Sequence, residues 1–86
     1  EPDGTNTTFI KKGETSIDIT AKSTYPYAKV SIDGNYETRG ENTKTIEMGN
    51  DSQKQIVVKI TAIDGEVEQY LVNIYREPNE LDLKAV

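Results

Sequence analysis

Apolar and polar residues alternate with a period of two along most of the chain. This is the pattern of strands with one face buried and one face wet. Residues 15–22 read Thr-Ser-Ile-Asp-Ile-Thr-Ala-Lys, which puts Ile17, Ile19 and Ala21 on one face and Ser16, Asp18, Thr20 and Lys22 on the other. Residues 28–33 repeat the pattern with Ala28, Val30 and Ile32 inward, before Asp33-Gly34-Asn35 supplies turn chemistry. A short strand over 44–48 carries Ile46 and Met48 and breaks at Gly49-Asn50-Asp51-Ser52. The strongest strand covers 55–63, with Ile56, Val58, Ile60 and Ala62 inward. Asp64-Gly65 turns the chain, and residues 69–76 return with Tyr70, Val72 and Ile74 inward. A weaker strand is expected over Thr7 to Lys11. No segment has the three-to-four spacing of a helix face, and β-branched residues are dense.

The last two strands can be set in register. A loop over residues 64–68 puts Ala62 opposite Tyr70, Ile60 opposite Val72 and Val58 opposite Ile74. The other face then pairs Thr61 with Leu71 and Val57 with Tyr75, so apolar residues meet on both faces. A one-residue slip would expel three core side chains. Short strands separated by turn signals predict an all-β sandwich of about six to seven strands.

Composition narrows the picture. The chain has 86 residues, so a single domain is expected: an N-terminal segment with an edge strand over 1–14, a sandwich core over 15–77, and a linker or first strand of a following unit over 78–86. Tryptophan, cysteine and histidine are absent, so Ile, Val and a few Tyr must build the core. About a dozen large side chains point inward, a thin core for one domain. Such a core needs help from a neighbouring unit, a bound ion or an extra strand.

The net charge of −5 opposes binding to nucleic acid, which requires a basic face to displace counterions. No polybasic anchor and no apolar run of about 20 residues is present, so no membrane insertion is expected. Without an N-terminal Met or a signal-peptide pattern, Glu1 reads as a cut inside a longer protein.

The stretch from Thr15 to Glu77 resembles the bacterial cadherin-like β-sandwich repeat, an immunoglobulin-like module of surface and secreted proteins. The likeness is carried by Val58-Lys-Ile-Thr-Ala-Ile-Asp-Gly65, by Tyr70-Leu-Val-Asn-Ile-Tyr-Arg76, and by Ala28-Lys-Val-Ser-Ile-Asp-Gly34. It implies a two-sheet antiparallel sandwich and an extracellular setting, at the bacterial cell surface or secreted. The ends depart from the family pattern. Residues Glu1 to Asn6 hold no leucine-rich opening strand, and Asn6 or Thr8 stands where family members usually carry Tyr. By contrast, Leu81-Asp-Leu83-Lys-Ala-Val86 looks like the opening strand of a next repeat, or a strand for an empty sheet edge in its own chain or a neighbour's.

Catalytic chemistry finds no foothold in the sequence. No His is available as a base, no Gly-x-Ser-x-Gly elbow occurs, and a sandwich this small leaves little room for a paired-carboxylate cleft. No enzyme is expected, and no cofactor. Calcium, the one ion weighed, would draw on Asp3, Asn6, Asp33, Asn35, Asn50, Asp51, Asp64, Glu66 and Glu68, but no EF-hand spacing is present and these residue types also make turns. A Lys–Asn isopeptide crosslink would use Asn73, which alternation points away from the core.

The binding candidates are tyrosines. Tyr25-Pro26-Tyr27 sits between two strands, and the immunoglobulin-like topology places it at the same end as the 64–68 loop. Tyr25, Tyr27 and Tyr36 would stack on a glycan or grip a protein ligand; the alternatives are a stiff turn that closes the core and, for Tyr36, an ordinary surface residue. An outward stripe of Val57, Ile63, Leu71 and Tyr75 would meet an adjacent domain of the parent chain, or be covered by the opening strand or by the tail near Leu81. The expected function is a non-catalytic structural spacer or interaction module. The alternatives are a carbohydrate- or protein-binding module and a calcium-stiffened adhesion linker.

Overall fold

The computed structural model describes residues 4–77, which form seven strands in two sheets. The strands are β1 (Gly4–Ile10), β2 (Ser16–Lys22), β3 (Lys29–Ile32), β4 (Thr38–Arg39), β5 (Glu41–Glu47), β6 (Gln53–Thr61) and β7 (Val67–Arg76). The large sheet has the order β1-β7-β6-β3-β4, and β2 pairs with β5 in the small one. The all-β sandwich expected from the sequence is present, and no helix occurs among the described residues.

Parity survives where it was read. Val30, Ile32, Ile46, Met48, Ile56, Val58, Val72 and Ile74 are buried in one cluster, joined by Ile19 and Ile10. Ile10 ends β1, so the first strand belongs to the core and starts earlier than expected, at Gly4. It runs parallel to β7, from Gly4 opposite Tyr70 to Ile10 opposite Arg76. One ladder of the sandwich is thus parallel and the others are antiparallel.

The β6–β7 register differs from the expected one. Val58 lies opposite Tyr70 and Ile56 opposite Val72, so the register is shifted by four residues from the expected one and the loop shortens from five residues to three. Gly65 N donates to Ala62 O at 2.9 Å, and Ala62 N donates to Glu66 O at 2.7 Å. Gly65 has φ of 95°, a left-handed value open to glycine. A type I turn followed by a left-handed glycine closes a three-residue hairpin loop, Ile63-Asp64-Gly65. The shift is even, so every side chain keeps its face. The outward pairs become Val57 with Leu71 and Gln53 with Tyr75, and Ala62 is an exposed turn residue instead of a core residue.

The chain passes from the large sheet to the small one at Gly40. Its N–H donates to Ala28 O and its carbonyl accepts from Ser23 N, tying the two sheets at a single residue. A Cβ here would sit 3.1 Å from the backbone oxygen of Pro26, and φ is 79°. Glycine is required on both counts.

Asn42 on β5 is 5% exposed and unites several elements. Its side-chain amide donates to Val30 O at 2.7 Å and Tyr36 O at 2.9 Å, and its oxygen accepts from the Asn35 amide at 3.0 Å. Asn35 in turn accepts from Ile32 N. Sequence reading did not single out Asn42, because the third strand was expected to begin at residue 44, whereas β5 begins at Glu41 and takes Asn42 into the sheet. Asn42→Ala is expected to cost about 2 kcal/mol, since it strands buried carbonyls. Urea unfolding checks this, and a loss under about 0.5 kcal/mol would show the node to be idle.

Candidate functional site

Two sheets of unequal size cannot cover each other. The small sheet lies over β3, with β5 also touching β4, so that among the described residues the inner faces of β7 and β1 have no strand opposite in their upper half, toward the Gly65 turn. Inward-facing Ile60 and Tyr70 are therefore only half buried, as is Ala21 on β2. Between them opens a cleft of about 750 Å³. Its walls are β2 from Asp18 to Lys22, the inner faces of β6 and β7, and Asn6 and Thr8 of β1. Glu68 accepts from the Tyr70 hydroxyl at 2.8 Å on the β7 wall.

Tyr25 and Tyr27 stand at the upper mouth of this cleft, together with Ile63 of the β6–β7 turn. The two loops do share one end of the sandwich. Tyr25 is 74% and Tyr27 69% exposed, so neither closes the core. The turn is held without them: Ser23 Oγ accepts from Tyr25 N, and Ala28 N donates to Tyr25 O. Arg39 donates to Tyr27 O at 2.9 Å, fixing the backbone while leaving both rings outward. Tyr36 is exposed but belongs to the loop pinned by Asn42 and does not line the cleft.

The expected outward stripe is divided. Val57 and Leu71 are paired on the outer face of the large sheet. Tyr75 lies further down the same face, where its ring meets Phe9 with centroids 6.3 Å apart. Phe9 is 55% exposed and was not anticipated, because the first strand was read as weak. Ile63 is not part of this face; it sits in the turn, 83% exposed.

Three of the residues weighed for calcium have separate partners. Asp33 faces Lys44 at 3.8 Å, Asn35 serves Asn42, and Asp64 accepts from Glu66 N at 3.0 Å inside its turn. Among the described residues no three Asp or Glu side chains gather in a way that would hold a metal ion. Asp3 and the tail strand near Leu81 lie outside the described residues. Asn73 accepts from Gln55 at 2.8 Å on the outer face, as alternation required, away from any buried lysine.

The lower end is closed by Arg76. Its guanidinium donates to Glu14 O at 2.6 Å, Gly49 O at 2.9 Å, Asp51 O at 3.0 Å and Lys11 O at 3.4 Å. Two loops, each joining one sheet to the other, are thereby bound to the last residue of β7. The resemblance supplied this Arg as the end of a motif; only the fold shows which carbonyls it serves.

No helix among the described residues is long and apolar enough to cross a membrane. Neither among curated proteins nor among solved structures does any match the chain significantly. The family model described as "Cadherin-like beta sandwich domain" matches residues 2–77, which extends the likeness read from Thr15 onward to include β1. Domains of this kind are structural or interaction modules, generally non-catalytic and typical of extracellular proteins. With a seven-strand, two-sheet architecture and a match across most of its length, the chain belongs to the cadherin-like β-sandwich domain family.

Proposed function

We propose that this chain is a non-catalytic spacer module of a larger bacterial extracellular protein, built to be joined end to end with adjacent domains. The observation that supports this most is the parallel pairing of the first and last strands. Because β1 and β7 lie side by side and run the same way, the described chain enters at the Gly4–Tyr70 level and leaves at the opposite, Arg76 end. The seven paired residues of β1 span roughly 20 Å along this direction. A module with its ends at opposite poles adds its length to an array; one with its ends together would branch from it.

The test is small-angle scattering on two copies of residues 1–86 joined directly. The maximum dimension should approach twice that of one copy. A pair that collapses into a compact, side-by-side particle would overturn the spacer reading.

A second reading is supported by the exposure of Tyr25 and Tyr27 at one mouth of the cleft. Two aromatic rings held out by a Pro-stiffened turn fit a sugar face or a protein ligand. A glycan array, repeated with Tyr25→Ala and Tyr27→Ala, decides this. Either change should abolish the signal while leaving the melting temperature within about 3 °C, because exposed side chains contribute little to stability. Hits indifferent to both substitutions would remove the tyrosines from the role.

A further inference from the structure

Ile10, Ile56, Val58, Val72 and Ile74 are buried, so the odd-numbered residues of β1, β6 and β7 point outward. In register, Thr5–Phe9, Leu71–Tyr75 and Gln53–Val57 lay three rows across the lower outer face, with one residue from each strand in each row. None of these nine outward side chains is charged, although charged residues make up 29% of the chain and its net charge is −5. Leu71 and Asn73, on the central strand, are half-buried and the rest are exposed. The rings of Phe9 and Tyr75 occupy the lowest row, Gln55 donates to Asn73 in the middle one, and Leu71 pairs with Val57 in the third. The next row toward the Gly65 turn brings the first charge, Lys59.

An uncharged patch with aromatic residues has the composition of an interface core. The charge of the chain narrows the choice of partner. Two chains of net charge −5 repel each other, and they approach most easily through surface that carries no charge. The side chains here are also self-complementary. An amide or a hydroxyl both donates and accepts, whereas a carboxylate only accepts and an ammonium only donates. A face that must match itself is served by the first kind and spoiled by the second.

We propose that the outer face of the large sheet pairs with the same face of a second copy, about a two-fold axis along β7. Packed sheets keep their strands within about 30° of each other, and this axis points both copies the same way. Asn73 and Leu71 then lie opposite their own counterparts, and β1 of each copy lies over β6 of the other.

The patch measures roughly 15 by 15 Å. That is well short of the about 800 Å² that each partner gives to a standard stable interface. One pair is therefore weak, with a dissociation constant of about 0.1–1 mM. Modules joined end to end would hold two arrays side by side far more tightly, through many linked contacts. That step rests on the spacer reading; the pairing of single copies does not. Two directly joined copies could meet through this face only by reversing one of them, so a same-way pair and a collapsed tandem are different particles.

Sedimentation equilibrium and amide chemical shifts of the single 86-residue chain test this, from about 0.05 mM to about 2 mM, which brackets the expected constant. The mass should rise toward that of a dimer, and the shifts that move should fall on the three outer rows. Asn73→Asp and Asn73→Lys should each weaken pairing at least about tenfold, because like charges then meet across the axis. An equimolar mixture of the two variants should pair at least as tightly as the unmodified chain, since opposite charges face each other. A chain that stays monomeric at the top of the range would overturn the proposal, whether the face is open or covered by something else. Shifts confined to the small sheet or the poles would do the same, as would a mixture no tighter than either variant alone. The concentration series is read on the unmodified chain, so its result stands even where a variant fails to fold.

Discussion

Ile74→Ala is expected to lower stability by about 3–4 kcal/mol, whereas Ile60→Ala, a residue of the same inward parity, is expected to cost only about 1–2 kcal/mol. Ile74 is fully buried in the lower half of the sandwich, beneath the small sheet's closed end. Its removal leaves a cavity among Ile, Val and Met side chains that relax little, so the lost contacts add to the lost transfer free energy. Ile60 borders the open cleft, where water already reaches it and a truncated side chain leaves no sealed void. A chain of this length has roughly 4–13 kcal/mol of total stability. The Ile74 change therefore removes a large share and lowers the melting temperature by about 15–30 °C. Urea unfolding of both variants checks the ordering. Equal losses at the two positions would mean that the upper half is as well covered as the lower, and the cleft would not exist in solution.

Arg76→Ala should have the next largest effect, about 2–3 kcal/mol. Charge-assisted hydrogen bonds to carbonyls are stronger than neutral ones, but those around Arg76 are partly solvated and regain water when the side chain goes, so the sum falls well short of four full bonds. Arg76→Lys should recover less than half of the loss. An ammonium is a compact charge and cannot span the Glu14, Gly49 and Asp51 carbonyls with a planar fork. The readout separates this role from simple charge. If the Arg acted only through the net charge of the chain, Lys would restore stability in full. The 11–15 and 48–52 loops should also show faster amide exchange in Arg76→Ala, while the β6–β7 ladder above them stays protected.

Parity of the central strands was readable because a period of two is local: Ile56, Val58, Val72 and Ile74 declare their face through their immediate neighbours. The hairpin register was misjudged because it depends on the turn. A loop of 64–68 and one of 63–65 preserve the same parity, and only the left-handed backbone of Gly65 selects the shorter. Gly4 to Asn6 went unread as strand because Gly, Thr and Asn carry no apolar alternation, and their strand state comes from hydrogen bonding to β7. Of the candidate site, the exposure of Tyr25 and Tyr27 and their position beside the β6–β7 turn were anticipated as one of two alternatives. The separation of Ile63 from Val57 and Leu71 was not, since it follows from the register.

By itself the sequence determined that this protein is all-β, that its strands show particular faces to a common core, and that His- or thiol-based chemistry is not available to it. These are consequences of residue type and spacing over a few positions. The tertiary structure alone decided that the two sheets of the described residues are unequal, that β2 borders a cleft, and that Asn42 and Arg76 tie distant segments together. Those features arise from how strands far apart in the chain are stacked, and no local pattern encodes which face will lack a partner.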